Sequence, residues 1–396
     1  MYRFTTAAAA LCLLTSVTHA QDWQPVSDPE ILRNVMSNTT MRATFPDGEQ
    51  ATAVYNADGT GELQAWGETF QRTWEIKGDD QVCITEAKTV NCFTLSTVGG
   101  DTSKILIENT ETGEELVVNV TAQGDNEVAV ETEGSNTGGA VKPSAEEVAA
   151  SLANPNTPMA SMTLKLQQRA FEGDLPNAGD QSSTTLLFQP ALPFKVGEGQ
   201  VFFRPALPYI SGQPFFNAGV GDFDDESGIG DLGFDLAYGE TLDSGILWAA
   251  GIFSSLPIGS DGLSSDLYTL GPEFLLGKIT SDYVLGFFPN HQWDVGGSGD
   301  GEINLTTIQL FGTIIGSGGW TYGTAPIMTY DHNESQWTIP LNLNVGKTVI
   351  ASNGRPWKLG FEINYYVENA DPFGPEWMVS FSIAPVIANP LAKWFQ

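Results

Sequence analysis

In its C-terminal part the chain alternates between apolar and polar residues over many short segments. In residues 337–345, for example, Trp337 and Leu341 fall on one face while Thr338 and Asn344 fall on the other. A period of two is typical of β-strands whose two faces lie in different environments. The pattern therefore predicts a sheet with an apolar face and a polar face.

Twelve segments of this kind follow one another. They lie at about 161–170, 183–195, 200–210, 229–239, 245–257, 266–277, 282–293, 302–315, 319–330, 335–347, 355–367 and 376–387. Short turns follow most of the even segments, the stretch 348–354 being the exception, and longer, more acidic loops such as residues 211–228 follow most of the odd ones. An even strand number with short turns at the periplasmic end is typical of outer-membrane barrels. Both ends of the barrel chain would then lie in the periplasm.

Aromatic residues begin several of the apolar faces, at Trp337, Trp357 and Trp377. Such aromatic girdles mark the two lipid–water interfaces of a membrane barrel. The sequence thus predicts an all-β protein whose main part, residues 159–396, is an antiparallel transmembrane β-barrel of about twelve strands in contact with outer-membrane lipid. The alternation slips within residues 303–314, where we expect a β-bulge.

The first part of the chain has a different organisation. Residues 1–20 contain Arg3 and a short apolar stretch and are typical of a signal peptide cleaved before Gln21. Residues 21–120 contain short alternating segments separated by turns and predict a small antiparallel β domain in the periplasm. Because that compartment is oxidising, we expect Cys83 and Cys92 to form a disulfide.

Residues 121–158 predict an acidic linker and a short helix. The linker is rich in Gly, Asn and acidic residues. Ser144 with Glu147 three residues later forms a capping-box pattern, which predicts a helix start. The helix is expected to end near Leu152, because the Asn154-Pro155 pair disfavours helical geometry.

Composition excludes one class of function. The chain has 17 Lys and Arg against 48 Asp and Glu, a formal net charge of −31. Nucleic-acid binding needs clustered cations for the phosphates, so no nucleic-acid partner is expected. Gly228-x-Gly230-x-x-Gly233 lacks the preceding strand and following helix of a dinucleotide site, and no cofactor is predicted.

Candidate catalytic and metal-binding residues are few. The chain has no Gly-x-Ser-x-Gly elbow, and no Ser is placed by the sequence as a partner of His291. We therefore expect no enzymatic activity. Asp222 and Asp224 lie in an acidic external loop whose spacing lacks the full calcium-loop pattern, so a solvated loop is favoured over a calcium site.

Charged residues also fall on the polar faces of the predicted strands. The set is Lys165, Arg169, Arg204, Asp231, Asp235, Glu273 and Glu362. A lipid-facing charge costs about 2–4 kcal/mol at mid-bilayer, so we expect these side chains in the lumen. They would form a basic wall opposite an acidic wall along a transport path, or a salt-bridged plug. Barrel size leaves both open, since twelve strands lie between filled small barrels and open porins.

Several motifs in this region resemble a known family. They include Asn290-His291-Gln292-Trp293-Asp294, Gln336-Trp337-Thr-Ile-Pro340 and Asn364-Tyr365-Tyr366. The sequence resembles bacterial outer-membrane proteins described as phenol meta-pathway or neuromedin-U-like proteins. The resemblance implies an outer-membrane β-barrel that transports hydrophobic or aromatic compounds, and it supplies no established catalytic residues to carry over to this sequence.

Together these features predict a narrow outer-membrane channel or transporter for small solutes, including hydrophobic or aromatic ones. Such a barrel would be inserted by the barrel-assembly machinery, while the sequence identifies no partner for the periplasmic domain. One alternative is a sealed structural barrel that anchors a periplasmic interaction domain. A third is a lipid-modifying outer-membrane enzyme.

Overall fold

The computed structural model describes residues 22–44, 50–86, 89–113, 115–123, 143–351, 354–387 and 389. The predicted signal peptide and most of the predicted linker lie outside this described part. Among the described residues, no helix is both long and apolar enough to cross a bilayer. The fold consists of two antiparallel β-barrels that follow each other along the chain, with a short helix between them.

The first barrel, called the N-barrel, is made of short strands. A short β1 (Gln24–Pro25) and helix α1 (Pro29–Met36) precede it, and its strands are β2 (Thr39–Thr44), β3 (Gln50–Tyr55), β4 (Thr60–Ala65), β5 (Glu68–Lys77), β6 (Gln81–Glu86), β7 (Thr89–Val98), β8 (Asp101–Asn109) and β9 (Glu115–Ala122). Each strand pairs with the next, and β9 pairs with β2 to close an eight-stranded barrel. The predicted antiparallel β domain is thus a closed barrel.

Side chains fill the interior of the N-barrel. Alternate residues point inward, and Tyr55, Leu63, Phe93 and Ile105 are fully or almost fully buried. This filling is expected of eight strands, which enclose little more than their own side chains. The predicted disulfide between Cys83 and Cys92 is present and joins directly opposed residues of β6 and β7.

The second barrel, called the C-barrel, is built from longer strands. They are β10 (Ala160–Glu172), β11 (Ser182–Val196), β12 (Gly199–Asn217), β13 (Asp222–Ile229), β14 (Leu232–Thr241), β15 (Ile246–Leu256), β16 (Leu267–Ile279), β17 (Tyr283–Gly297), β18 (Asn304–Ile315), β19 (Trp320–Thr324), β20 (Ile327–Asp331), β21 (Gln336–Ile350), β22 (Pro356–Glu368) and β23 (Gly374–Ile387). β13 and β14 pair with successive parts of β12, and β19 and β20 with successive parts of β18, so each couple counts as one strand. Because β23 pairs with β10, the barrel closes with the predicted twelve strands.

Two details of the sequence prediction were wrong. Residues 211–228, expected as a loop, are largely the hairpin of β12 and β13. The bulge expected within 303–314 is absent, since β17 and β18 pair in one register from Tyr283 opposite Ile314 to Trp293 opposite Asn304. The neighbouring strand is interrupted instead, between β19 and β20, where Asn342 Oδ1 accepts a hydrogen bond from the backbone N–H of Ala325 at 2.6 Å.

Helix α2 (Ala145–Ala153) lies between the two barrels. The predicted capping box is present, because Ser144 Oγ accepts from the Glu147 backbone N–H and the Glu147 carboxylate accepts from that of Ser144. Val148 belongs to the apolar core of the N-barrel. Ala150 and Ala153 pack instead against Leu247, Leu275 and other apolar residues of the C-barrel wall. The helix therefore has one part in each barrel's core.

Candidate functional site

The two faces of the C-barrel strands differ in exposure as the alternation predicts. On β21, Leu341 and Leu343 are 62% and 68% exposed, whereas Asn342 between them is 5% exposed. The same contrast recurs in an outward-facing belt that includes Leu164, Leu166, Phe188, Leu236, Leu270, Leu276, Leu285, Leu310 and Phe381. A continuous exposed apolar belt of this kind fits a lipid environment.

Aromatic pairs flank this belt at both ends of the barrel. The end with the longer loops is called the loop end, and the opposite end, next to α2, the turn end. At the loop end Tyr330 lies 4.9 Å from Trp337 between ring centroids, and Tyr365 lies 4.5 Å from Trp377. At the turn end Tyr238 lies 5.8 Å from Trp248. These pairs form the two girdles that the sequence indicated.

His291 lies on this outer surface near the loop end. Its Nδ1 is 2.7 Å from Thr306 Oγ1, which is also 2.8 Å from His332 Nε2. The ring of His291 packs on that of Trp293 at 4.2 Å between centroids. The structure thus makes His291 part of the interfacial girdle, hydrogen-bonded to a threonine and not to a serine.

A first group of predicted lumen residues lies on β12, β14 and β16. Arg204 Nε is 3.3 Å from Asp235 Oδ2, and the two residues are directly opposed across β12 and β14. The Arg204 guanidinium also lies 5.2 Å from the centroid of the Phe288 ring. Glu273 lies on the lumen-facing side of β16 and is only 3% exposed.

A second group lies on β10, β21 and β22. Lys165 Nζ is 3.5 Å from Glu362 Oε2, and Glu362 Oε1 accepts from the Asn342 side-chain amide at 2.8 Å. Asn342 donates also to Asn364 Oδ1 at 2.8 Å. Arg169, on the same face as Lys165, lies near the Met378 sulfur at 3.7 Å. The charges of Lys165 and Glu362 and the side-chain amides of Asn342 and Asn364 thus satisfy one another.

The charged residues are not arranged as the predicted basic wall opposite an acidic wall. Opposite charges are neighbours within each group, as with Arg204 and Asp235. Asp231 lies at the loop end, where Oδ1 accepts from Ser264 Oγ at 2.7 Å and from the Gly259 backbone N–H, and Oδ2 accepts from Ser265. Asp231 therefore fastens the loop between β15 and β16, and a single acidic wall does not form.

The acidic hairpin at the loop end is tied to its neighbours by amides. Asp222 Oδ1 accepts from Asn177 Nδ2 at 3.1 Å, and Asp224 Oδ2 accepts from Asn217 Nδ2 at 2.8 Å. Over the described ranges, no three His, Cys, Asp or Glu residues come together in a group that could hold a metal ion.

Sequence reasoning missed what lies inside the turn end of the C-barrel. Residues 145–157, comprising α2 and the segment after it, are called the plug. Leu152 and Pro155 of the plug line a cavity of about 370 Å³ together with Phe202, Phe288 and Lys358. A second cavity of about 200 Å³ lies beside it and shares Phe202, Arg204 and Lys358. One signal was present, since Lys358 shares the polar face of its strand with Glu362.

The plug also accounts for part of the slipped alternation within residues 303–314 and its continuation at Ile315. Phe311 and Ile315 point into the lumen and are apolar because they pack beside Ala150 and Ala153 of the plug. The lumen-facing side of β18 is consequently as apolar as its lipid-facing side at this end. An apolar residue at a lumen-facing position of β18 thus indicates contact with the plug here and not a β-bulge.

Buried carboxylates fix the plug to both barrels. Arg72 of the N-barrel lies 2.9 Å from Glu86 and 3.3 Å from Glu147 of the plug. Glu146 Oε2 accepts from Thr89 Oγ1 at 3.0 Å and from the Gly318 backbone N–H at 3.1 Å, so it joins the N-barrel to a C-barrel turn. All four charged residues are at most 4% exposed.

Burial and neighbouring charges alter the acid–base behaviour of this junction. Burial raises the pKa of Glu86, and the nearby Glu147 carboxylate raises it further against the opposing effect of Arg72. Burial likewise raises the pKa of Tyr55 to about 12. Burial also raises the pKa of Glu68, whose carboxylate accepts from Ser151 of the plug at 2.7 Å. The junction therefore favours at least one protonated carboxyl group.

Fold and lumen together define a β-barrel of the outer-membrane type, carrying a plug and a second, smaller barrel. No protein-family model matches the chain, so the family suggested by the motifs is not confirmed. No curated protein matches it either.

The solved structures to which the chain is similar include an outer-membrane channel and two porins. One is an outer-membrane channel from Pseudomonas putida F1, with 14% identity over 58% of this chain and 95% of that chain and a TM-score of 0.45. Another is the NanC porin, with 11% identity over 57% and 98% of the chains and a TM-score of 0.35. A BenF-like porin from Pseudomonas fluorescens Pf-5 has 10% identity over 58% and 98%, with a TM-score of 0.19.

Proposed function

We propose that this protein is an outer-membrane channel or transporter for small solutes, held closed by its plug. The observation that carries the proposal is the lumen, where paired charges and an apolar cavity meet a short helical segment inserted from one end. Lipid contact is supported by the apolar belt and its two aromatic girdles. A closed barrel satisfies its backbone hydrogen bonds internally, as a membrane-spanning structure must.

The turn end would face the periplasm, with the N-barrel beside it. Short turns are typical of the periplasmic end of such barrels, and the plug ties the N-barrel to the turn at Gly318. Hydrophobic or aromatic solutes, as the sequence resemblance implies, would meet Phe202, Phe288 and Phe311 in the cavity beside the plug.

Conduction requires the plug to move. Its apolar contacts with the C-barrel wall include those of the small residues Ala150 and Ala153, which bury little area each, while Asn154 and Asn156 hydrogen-bond to the ends of β14 and β15. Since hydrophobic stabilisation scales with buried area, the apolar part of this contact is weak, and opening requires mainly that the hydrogen bonds of Asn154 and Asn156 exchange with water. The plug would then leave the lumen while staying attached to the N-barrel.

A second candidate function is a sealed barrel that anchors the N-barrel to the membrane. It is favoured by the buried carboxylates Glu146 and Glu147, which hold the plug in place from both sides. In that case the C-barrel would never open, and the N-barrel would present an interaction surface in the periplasm.

Conductance in planar bilayers separates the two candidates. We compare the full chain with a variant carrying Ala150→Asp and Ala153→Asp, which places charges in the apolar contact between plug and wall. A channel predicts rare or small openings for the unmodified protein and a several-fold larger conductance for the variant. Ala153→Ser, which keeps the size nearly unchanged, serves as the control. A variant that is inserted and folded but never conducts would favour the anchor.

A further inference from the structure

The cavity beside the plug combines an aromatic wall, which suits apolar solutes, with a charge property that the transport proposal does not explain. Its wall contains the aromatic rings of Phe202, Phe288 and Phe311. Both charged residues that line it, Arg204 and Lys358, are cationic. Apolar surface with a few convergent polar groups, in a volume of about 370 Å³, is typical of a small-molecule site.

The two cations differ in how they are balanced. Arg204 is paired with Asp235 at 3.3 Å. For Lys358, the contacts within the described part of the chain include neither a hydrogen bond nor an ion pair, and the charge acting on it is that of Lys165, which has the same sign. Lys165 itself is paired with Glu362. An ammonium in a confined lumen without a counter-charge is costly, and an anionic ligand would offset that cost.

We propose that this cavity is a binding site for small organic monoanions that carry an apolar tail, with Lys358 as the counter-charge of the anionic head. The tail would lie against Phe202 and Phe288, and Leu152 of the plug would close the site from the turn end. The Arg204 guanidinium, 5.2 Å from the Phe288 ring, would lie beside the head and add a second positive charge.

This proposal rests on the proposed function in one respect, since a ligand must reach the lumen to bind there. It adds to that function a preference for charge sign. Neutral apolar solutes would gain the aromatic contacts alone, and organic cations would meet two positive charges. A small inorganic anion would gain the charge alone.

Calorimetry on the full chain in a non-ionic detergent tests this with matched probes. Hexanoate, 1-hexanol and hexylammonium share one tail and differ in the charge of the head, while acetate has the head without the tail. We expect saturable hexanoate binding at one site, with at least tenfold weaker binding of the other three. Lys358→Gln should weaken hexanoate binding at least tenfold. Lys195→Gln, which removes an exposed cation at the end of β11, should leave it unchanged.

Three outcomes would overturn the proposal. They are equal binding of hexanoate and 1-hexanol, hexanoate binding unaffected by Lys358→Gln, and no hexanoate binding by protein whose fold is verified by its gel mobility. If the protein conducts but does not bind hexanoate, the anion site is refuted and the channel proposal is retained. Hexanoate binding by a protein that never conducts would remove the channel and leave the site.

Discussion

Glu146 and Glu147 are adjacent on the first turn of α2, yet each makes a different link between structural units. Glu147 lies 3.3 Å from Arg72 inside the end of the N-barrel. Glu146 accepts hydrogen bonds from the N-barrel and from the turn of the C-barrel at Gly318. Successive helix residues point about 100° apart, which allows neighbours in sequence to reach different partners. The start of the plug is thereby fixed where the two barrels meet.

The first prediction concerns Arg72. Replacing it by Met removes the guanidinium and leaves Glu86 and Glu147 buried without their positive partner. Breaking a buried pair from one side costs about 3–5 kcal/mol, so the free energy of unfolding of the N-barrel should fall by that amount. Urea unfolding, followed by near-UV circular dichroism, measures it. Arg42→Met on the exposed side of β2 is the control and should change it by less than about 0.5 kcal/mol.

A second prediction is the pH dependence of the N-barrel. Because the pKa of Glu86 is raised by burial, the folded state holds its proton more tightly than the unfolded state, whose carboxyl group has a pKa near 4.5. The stabilising contribution is thus complete below about pH 4.5 and is lost as the pH rises through the raised pKa. The loss is at most about 1.4 kcal/mol per pH unit for one proton.

Glu86→Gln should flatten that dependence. The side chain keeps its size but has no proton to lose, so unfolding free energies measured between pH 5 and pH 9 should vary less than in the unmodified protein. Glu68→Gln is the comparison, since the Glu68 pKa is raised in the same direction but Glu68 lies outside the Arg72 cluster. An equal slope in the unmodified protein and in Glu86→Gln would contradict the assignment.

The third prediction tests membrane insertion by the alternation itself. Leu343 faces outward and is 68% exposed, whereas the side chain of the next residue, Asn344, points inward and donates to Asn342. Leu343→Lys should destabilise the barrel folded in lipid by up to about 2–4 kcal/mol, the cost of a lipid-facing lysine at mid-bilayer. Asn344→Lys should cost less, because an inward charge meets other polar groups. Equal costs for both variants would speak against lipid on the outside.

The fourth prediction concerns the disulfide. Cys83 and Cys92 close a loop with a sequence separation of nine residues. Loop entropy predicts that reduction destabilises the N-barrel by about 2–3 kcal/mol. The C-barrel contains no cysteine. We expect the folded barrel to migrate faster on gels before boiling than after it, and this difference should be the same with and without reductant. A reductant-dependent loss of that mobility difference would show that the two barrels fold as one unit.

Ion selectivity provides the fifth prediction. Because Arg204 and Asp235 are paired, Arg204→Gln leaves an unbalanced carboxylate and should increase the preference for cations, more so at low salt. Asp235→Asn should shift selectivity toward anions. The double variant should return close to the starting value. Reversal potentials, measured in the Ala150→Asp and Ala153→Asp background, report the shifts. No shift in either single variant would place both residues off the conducting path.

The sequence predicted those parts of the structure that repeat locally. Strand number and inward parity follow from a period of two, and Lys165, Glu273 and Glu362 have the predicted parity for that reason. The capping box at Ser144 and the disulfide also join residues that are close in sequence. Contacts between distant segments left no such signal. The Arg72–Glu147 pair spans 75 positions, and its two residues belong to patterns already explained by a strand and a helix cap.

Asp231 and the plug also show that contacts between distant segments could not be predicted from local sequence patterns. Parity alone placed Asp231 in the lumen, but the loop between β15 and β16 returns to it and uses both of its oxygens. The plug was predicted as a helix, yet nothing in residues 145–153 indicates that a barrel surrounds it. The apolar residue at the lumen-facing position 311 reflects contact with the plug, but this can be recognised only once the plug is known.

Closure of both sheets limits how another protein can recognise this one. In the part of the chain that the structure describes, the N-barrel strands β2 to β9 each have a neighbour on both sides, and so do the C-barrel strands other than β13, which pairs with β12 alone at the loop end. Among these residues, the free strand edges are thus confined to the two-residue β1 and to β13, so a partner finds none along the closed walls, and the same closure hinders runaway association between copies. Recognition of the N-barrel is left to its side chains, its connecting turns and helix α1.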